Sequence, residues 1–194
     1  MRQRICIIQG HPDAGGNHLC HALADAYAAG AADAGHEVRR IEVSRLEFPL
    51  VRTREEFEQG DLPQDIAEAQ EAIRQATHLV IVYPLWLGTM PALLKGFFEQ
   101  TFRYGFAIGT ESERMPAKLL RGRSARLVVT MGMPALVYRW YFRAHSVKSL
   151  ERNVLGLAGI SPVRETLIGS VDAIDEAKGK RCLATMRALG ERAR

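Results

Sequence analysis

Five short stretches of the chain stand out because their apolar residues are unbroken or alternate. Ile5-Cys-Ile-Ile8, Leu79-Val-Ile-Val-Tyr83 and Arg126-Leu-Val-Val-Thr130 carry apolar runs of the kind expected of strands covered on both faces. Glu37 to Val43 alternates polar and apolar, which predicts a half-exposed edge strand, and Val163 to Gly169 supplies a fifth. Helical spacing fills the intervals. Leu19 to Gly35 places Leu19, Ala22, Leu23, Ala26, Tyr27 and Gly30 on one face, with Asn17 as a suitable N-cap. Asp65 to Gln75 turns Ile66, Ala69 and Ile73 inward, and Pro91 opens a helix whose stripe is Leu94, Phe97, Phe98, Thr101 and Phe102. Val147, Leu150, Val154, Leu157 and Ala158 predict a helix ended by Gly159, after the aromatic stretch Tyr138 to Phe142. Asp172 and Asp175 open a last helix with Ala177, Cys182, Leu183, Met186 and Leu189 on its apolar face. Ser44 to Pro63 and Tyr104 to Gly122 read as irregular.

Strands alternating with helices predict an α/β fold: a five-stranded parallel sheet, doubly wound, with helices on both faces and right-handed crossovers. Five strands suit the flavodoxin-like order 2-1-3-4-5 rather than a six-stranded dinucleotide fold. In that order the loops after strands one, three and four are neighbours at the switch point, where open α/β sheets bind ligands. Those three loops hold the glycine, polar and aromatic residues: Gln9 to His18, Pro84 to Met90 and Thr130 to Pro134. The first leads into a helix N-terminus, where backbone N–H groups and the helix dipole favour an anion. It is neither GxGxxG nor a P-loop, which argues against a Rossmann dinucleotide site and against nucleotide hydrolysis. Pro84 is expected to end its ladder, and Gly88 to let a ligand approach the backbone beside Trp86.

The 194 residues, 47% of them apolar, suffice for one domain spanning 1–194. No apolar run reaches membrane-spanning length, and no signal-peptide pattern is present, so a cytoplasmic protein without membrane insertion is expected. The three cysteines, Cys6, Cys20 and Cys182, show no metal spacing, and no metal is expected. The net charge of +4 includes a dense cluster, Arg114, Lys118, Arg121, Arg123 and Arg126. No aromatic interleaving accompanies it, so a solvated segment is favoured over a nucleic-acid surface, and contact with a phosphate-bearing cosubstrate stays open.

The block Tyr83-Pro-Leu-Trp-Leu-Gly-Thr-Met-Pro-Ala-Leu-Leu-Lys-Gly-Phe-Phe-Glu99 closely resembles the signature of the flavodoxin-like NAD(P)H:quinone oxidoreductases. That family includes DT-diaphorase, the modulator-of-drug-activity proteins and the flavoprotein ancillary subunits of potassium efflux systems. Gly10-His11-Pro12 with Asn17, Gly105-Phe-Ala107, Leu120-Arg-Gly122 and Thr130-Met-Gly132 resemble further family segments in the same order. The resemblance implies a flavin, FMN in preference to FAD, with NAD(P)H as cosubstrate. His11, Gly15, Gly16 and Asn17 would cradle its phosphate and ribityl chain; Pro84, Leu85, Trp86 and Leu87 would lie along the ring; Thr130 and Gly132 would flank the pyrimidine end. Tyr138 and His145 are the loose counterparts of the family's proposed catalytic pair, with a pocket-wall or subunit-interface role as the competing reading. Three departures bear on specificity. Gly15 replaces a hydroxyl residue, Ile108 and Thr110 replace pocket tyrosines, and Met131 replaces a glycine.

The activity implied is two-electron, ping-pong transfer from NAD(P)H to quinones or similar electrophiles by a homodimer. Contacts between subunits are expected from the helices following strands three and four and from the aromatic stretch. The rival readings are a flavin-binding ancillary subunit of a transport system and a flavodoxin-type electron carrier, the latter poorly suited to a positive net charge.

Overall fold

A computed structural model of the chain describes residues 2–109 and 117–194. The strands are β1 (Arg4–Gln9), β2 (Glu37–Glu42), β3 (His78–Pro84), β4 (Ser124–Thr130) and β5 (Val163–Ile168). All pairings are parallel, in the order β2-β1-β3-β4-β5. Every residue of the central strand β3 is buried, as its unbroken apolar run requires, whereas the edge strand β2 buries Ile41 alone. Pro84 pairs with Thr130 as the last residue of β3, and the ladder runs one step further, with Leu85 N–H donating to Thr130 O at 2.7 Å. The missing donor of Pro84 falls on the β1 side, where pairing has already finished with Gly10 N–H on Val82 O.

Two apolar layers sandwich the sheet. On one face α1 (Leu19–Asp33) and α8 (Glu176–Glu191) pack on Ile5, Ile7, Val80, Val82 and Val128. On the other, α3 (Gln64–Gln75) and α4 (Ala92–Thr101) join the helical segments after β4 over Cys6, Ile8, Leu79, Ile81 and Leu127. The predicted stripes of α3 and α4 are the buried ones.

The differences from expectation have local causes. Ser44 to Pro63 is not wholly irregular, because it contains α2 (Arg54–Gln59). Thr53 Oγ1 accepts from Glu56 N–H at 3.1 Å as the N-cap, while Glu56 Oε2 accepts from Arg52 N–H at 2.7 Å, a variant of the Thr-x-x-Glu cap displaced by one residue. His18, not Asn17, caps α1, and no side chain satisfies its first turn. The segment after β4 is broken into α5 (Ala135–Trp140), α6 (His145–Ser149), a π turn (Leu150–Leu155) and α7 (Gly156–Ala158). The π turn moves the inward position five residues on, from Leu150 to Leu155, so Val154 is only half-buried and Leu157 is exposed. Gly159 ends α7 in the left-handed region, as expected. Asp172 lies in a separate 3-10 turn, α8 is capped by Asp175 alone, and Ala177 is exposed. Of the basic cluster, Arg123 and Arg126 spend their guanidinium groups on backbone carbonyls and Thr166; Arg114 and Thr110 lie outside the described residues.

Candidate flavin site at the carboxyl edge

The carboxyl ends of β1, β3 and β4 release three adjacent loops. Loop one, from Gly10 to His18, is folded by its own side chains. Gln9 Oε1 accepts from His11 N–H at 2.9 Å, His11 Nδ1 from Asp13 N–H at 3.2 Å, and Asp13 Oδ1 from Gly15 N–H at 2.8 Å. His18 Nε2 closes on Asp13 Oδ2 at 2.7 Å, and this bond, then the Gly15 N–H, holds the Asp13 carboxyl below its usual range. The buried His11 ring stacks on His18 at 3.9 Å and meets His21 edge-on at 5.4 Å. Burial, reinforced by His18, pushes the His11 imidazole below its ordinary pKa.

After Gly15 the loop's backbone N–H groups no longer bond within the loop. Gly16 sits at φ +82°, a conformation that turns the chain into α1 and that a side chain adopts at a cost. The N–H groups of Gly16, Asn17 and His18 have no hydrogen-bond partner among the described residues. Three orphan donors in series at the start of a 15-residue helix form an anion cradle. This is the observation that fits a flavin phosphate to the site.

Loop three is a tight turn. Trp86 and Thr89 exchange both backbone hydrogen bonds, at 2.8 and 3.0 Å, and Leu87 and Gly88 between them adopt positive φ of 47° and 80°. Leu87 is a non-glycine residue held in the left-handed region with its side chain fully exposed, at 105% relative accessibility. The Leu87 and Gly88 N–H groups also have no partner among the described residues. Pro84 and Leu85 are buried beneath the turn, while the half-exposed Trp86 ring stands edge-on to His11 at 5.9 Å and joins loops one and three.

The fourth-strand loop is anchored rather than open. Met131 N–H donates to Ile168 O at 2.9 Å, and Gly132 lies so close to Asp172 that a Cβ would stand 2.8 Å from the carboxylate. The hydroxyl of the buried Thr130 meets Cys20 Sγ at 3.2 Å. Burial raises the Cys20 thiol to about 11, with the Thr130 bond opposing, so it stays protonated at neutral pH.

Tyr138 and His145 are placed differently from these loop residues. Tyr138 is buried, with its hydroxyl turned inward to accept Val147 N–H at 3.3 Å, and burial raises its pKa. His145 is exposed at the start of α6. Their segment reaches the site through Ser146, whose hydroxyl donates to Thr89 Oγ1 at 3.2 Å at the base of the tight turn. Sequence reasoning passed over His18, His21 and Asp13. Their signal is the crowding of three histidines and an aspartate into residues 11–21, directly after a strand.

A family model described as flavodoxin-like fold matches residues 3–189. The chain belongs to that family. Among curated members it is 29% identical, over 139 residues, to an uncharacterized NAD(P)H oxidoreductase of Haemophilus influenzae, covering 70% of this chain and 68% of that one. It is 34% identical over 88 residues to human ribosyldihydronicotinamide dehydrogenase [quinone], covering 45% of this chain and 38% of that one. The chain spans less than two thirds of the length of this human relative. Among solved structures, an NAD(P)H:quinone oxidoreductase from Methanothermobacter marburgensis superposes with a TM-score of 0.81 at 25% identity, with all of both chains covered. The flavodoxin-like fold, read from five strands, is thus the fold of the family.

Proposed function

We propose that this chain is a flavin-dependent NAD(P)H oxidoreductase that reduces quinones or similar electrophilic acceptors. The row of orphan donors at Gly16, Asn17 and His18, set beside the open N–H groups of Leu87 and Gly88 at the switch point, carries the reading. The names of the relatives, NAD(P)H oxidoreductase and quinone dehydrogenase, point the same way. When bound, the flavin, FMN or FAD, supplies the two-electron chemistry by which hydride leaves NAD(P)H and reaches the acceptor. Loop one would hold its phosphate, and the backbone of the Trp86–Thr89 turn would offer preorganised donors to the ring edge. Hydride transfer requires no enzyme nucleophile, so the protein's task is to stack donor and acceptor in turn on one face. Tyr138 acts here by position, seating Val147 and with it Ser146 against Thr89.

A homodimer belongs to the same reading. Leu136, Trp140 and Tyr141 are 70 to 79% exposed on and beside α5. A cavity of about 440 Å³, lined by Phe57, Phe98, Phe102, Ile108, Val154 and Leu157 among others, opens between α2, α4 and the π turn. So much unpartnered apolar surface marks an interaction face. Light scattering tests it, and a monomer that binds flavin fully would remove this part of the proposal.

The decisive experiment is the visible spectrum of the purified protein under anaerobic addition of NADH, then NADPH. The expected result is a flavin band near ~450 nm that bleaches and returns on addition of a quinone. A colourless protein that takes up neither FMN nor FAD would overturn the proposal. A yellow protein that does not bleach would favour an ancillary, non-catalytic role, for which the exposed Trp140 and Tyr141 would serve as a docking face.

A further inference from the structure

One contact ties the turn at Trp86–Thr89 to the helical segment after β4: the Ser146 hydroxyl donates to Thr89 Oγ1 at 3.2 Å. Backbone strain gathers on both sides of it. Among the described residues five other than glycine have positive φ, and three of them flank this contact. Leu87, at 47°, lies two residues before Thr89; Arg143 and Ala144, at 52° and 49°, turn the chain from α5 into α6 just before Ser146. Neither leucine nor alanine has a side chain that eases the left-handed conformation by local hydrogen bonding. Strain of this kind persists where the surroundings enforce it, and it gathers at sites that bind or switch.

Behind the contact lie two buried phenols. The Tyr138 hydroxyl accepts Val147 N–H at 3.3 Å. Tyr83, next to last in β3, is fully buried, and its hydroxyl has no hydrogen-bond partner among the described residues. Burial raises the pKa of both phenols, and Ser146 opposes the rise in both. A hydroxyl carries one proton and two lone pairs. Val147 N–H occupies a lone pair of Tyr138, and Ser146 spends its proton on Thr89. Thr89 Oγ1 therefore receives a donor from behind, while its own proton has no acceptor among the described residues. Thr89 is exposed, next to Gly88, in the turn whose Leu87 and Gly88 N–H groups are open. The outer end of the cluster is thus a donor on the rim of the candidate site, polarised by the donor behind it. Such a donor suits a carbonyl oxygen, most of all one that gains negative charge as it is reduced. A carboxylate or phosphate calls for a cation, and the turn from Trp86 to Thr89 carries none.

We propose that the Thr89 hydroxyl is the hydrogen-bond donor to a carbonyl oxygen of the electron acceptor, and that Ser146 is the positioning residue that aims it. This deepens the flavin reading and rests on it for the reaction. Reduction of a quinone takes one hydride, drawn from NAD(P)H, and one proton, drawn from water. Thr89 transfers neither and keeps its own proton.

Two measurements on the flavin-loaded protein test the assignment. Calorimetric titration with menadione (2-methyl-1,4-naphthoquinone), with no NAD(P)H present, reads binding without turnover. Thr89→Val keeps the shape of the side chain and should weaken binding about fivefold, one net hydrogen bond, while Thr89→Ser restores it to within about twofold. Steady-state kinetics then compare menadione with ferricyanide, an acceptor that has no carbonyl oxygen. The ratio of the two kcat/KM values should fall about tenfold or more in Thr89→Val, because the bond strengthens as charge develops, and Thr89→Ser should restore it. Ser146→Ala leaves the Thr89 hydroxyl in place but unaimed, so the ratio should fall less, and Ser146→Thr should bring it back. Wild-type menadione affinity in Thr89→Val overturns the proposal. So does a ratio that Thr89→Ser fails to restore, or an equal loss with both acceptors, which would make Thr89 a strut of the turn. A wild-type ratio in Ser146→Ala would remove the aiming role. If neither FMN nor FAD is taken up, the flavin reading has failed, and menadione titration of the flavin-free chain decides the rest: affinity that depends on the Thr89 hydroxyl upholds the donor, and its absence ends it.

Discussion

The two ends of the sheet are built from similar residues and treat them oppositely. At the amino end, Thr77 donates to Gln3 Oε1 at 2.6 Å, His78 Nδ1 meets Ser124 Oγ at 2.8 Å, and Arg126 gives its guanidinium to Arg194 O and Thr166 Oγ1, both at 2.6 Å. Most polar groups there are consumed by the chain itself, the Nε2 of His78 apart. At the carboxyl end two histidines stack on one another, backbone donors at 16–18 and 87–88 have no partner among the described residues, and a leucine is held at positive φ in full exposure. The first arrangement serves the fold. The second leaves local hydrogen bonding incomplete, which a stable chain tolerates where a ligand completes it. Separating the two by experiment is therefore a test of both.

The largest effect is expected at the amino end. His78 is 3% exposed, its Nε2 has no partner among the described residues, and burial with Arg126 and Arg164 nearby lowers its pKa to about 4. The unfolded chain takes up this proton near pH 6.5, the folded chain only near 4. Stability should thus be full above pH 6.5 and fall as pH drops toward 4, by on the order of 3 kcal/mol. Urea midpoints at pH 7.5, 5.5 and 4.5 measure the slope, and His78→Phe should flatten it. FMN affinity at pH 7.5 should be the same in both proteins. A slope that survives the substitution would move its origin to other groups.

The next effect belongs to the carboxyl end. Gly16→Val places a β-branched residue at φ +82° with its Cβ 3.3 Å from His18 Nε2. Left-handed strain of about 1–2 kcal/mol falls on a loop whose following donors have no partner among the described residues, so the loop should give way before the fold does. Flavin affinity should drop about tenfold or more, read by quenching of flavin fluorescence, with a melting temperature lowered by only a few degrees. Equal losses of affinity and stability would erase the contrast between the two ends. Leu87→Gly runs in reverse. It relieves strain of about 1 kcal/mol, so the protein should become more stable, and kcat/KM for the acceptor should fall if the exposed leucine is kept for the substrate's sake. A variant that is both more stable and fully active would show that Leu87 has no such use.

The fold was legible because β-branched apolar runs flanked by helical periodicity have few other readings, and five of them in alternation impose the sheet order. The site was legible as three loops. What escaped was set by geometry that sequence spacing does not carry. The short helix α2 was announced only by Thr53 and Glu56, whose cap is a matter of a few residues in a polar stretch. The π turn shifted the buried position from Val154 to Leu155 without any proline or glycine at 150–155 to mark it. Gln9 read as the first residue of a turn-rich loop, and its orphaned nitrogen becomes visible only when the other end of the amide is seen to be engaged. Tyr138 was a candidate by position in the chain, yet the direction of its hydroxyl, toward Val147, is decided by how α5 packs.

The smallest effect tests whether the carboxyl end, for all its open donors, has a closed floor. Cys20, in the first turn of α1, and Thr130, the last residue of β4, meet at 3.2 Å, and burial keeps the thiol protonated. A thiol–hydroxyl bond of this kind contributes little, so Cys20→Ala should cost about 1 kcal/mol or less and leave flavin affinity within twofold. The sharper reading is chemical. Cys6 and Cys20 are buried and Cys182 is partly exposed, so alkylation of the native protein at pH 7.5 should mark Cys182 alone, as mass spectrometry of the peptides would show. Rapid labelling of Cys20 would mean that the loops part as a unit and that the unpartnered donors belong to an edge that opens. Protection of Cys20 would mean that they belong to a preformed cradle on a rigid base.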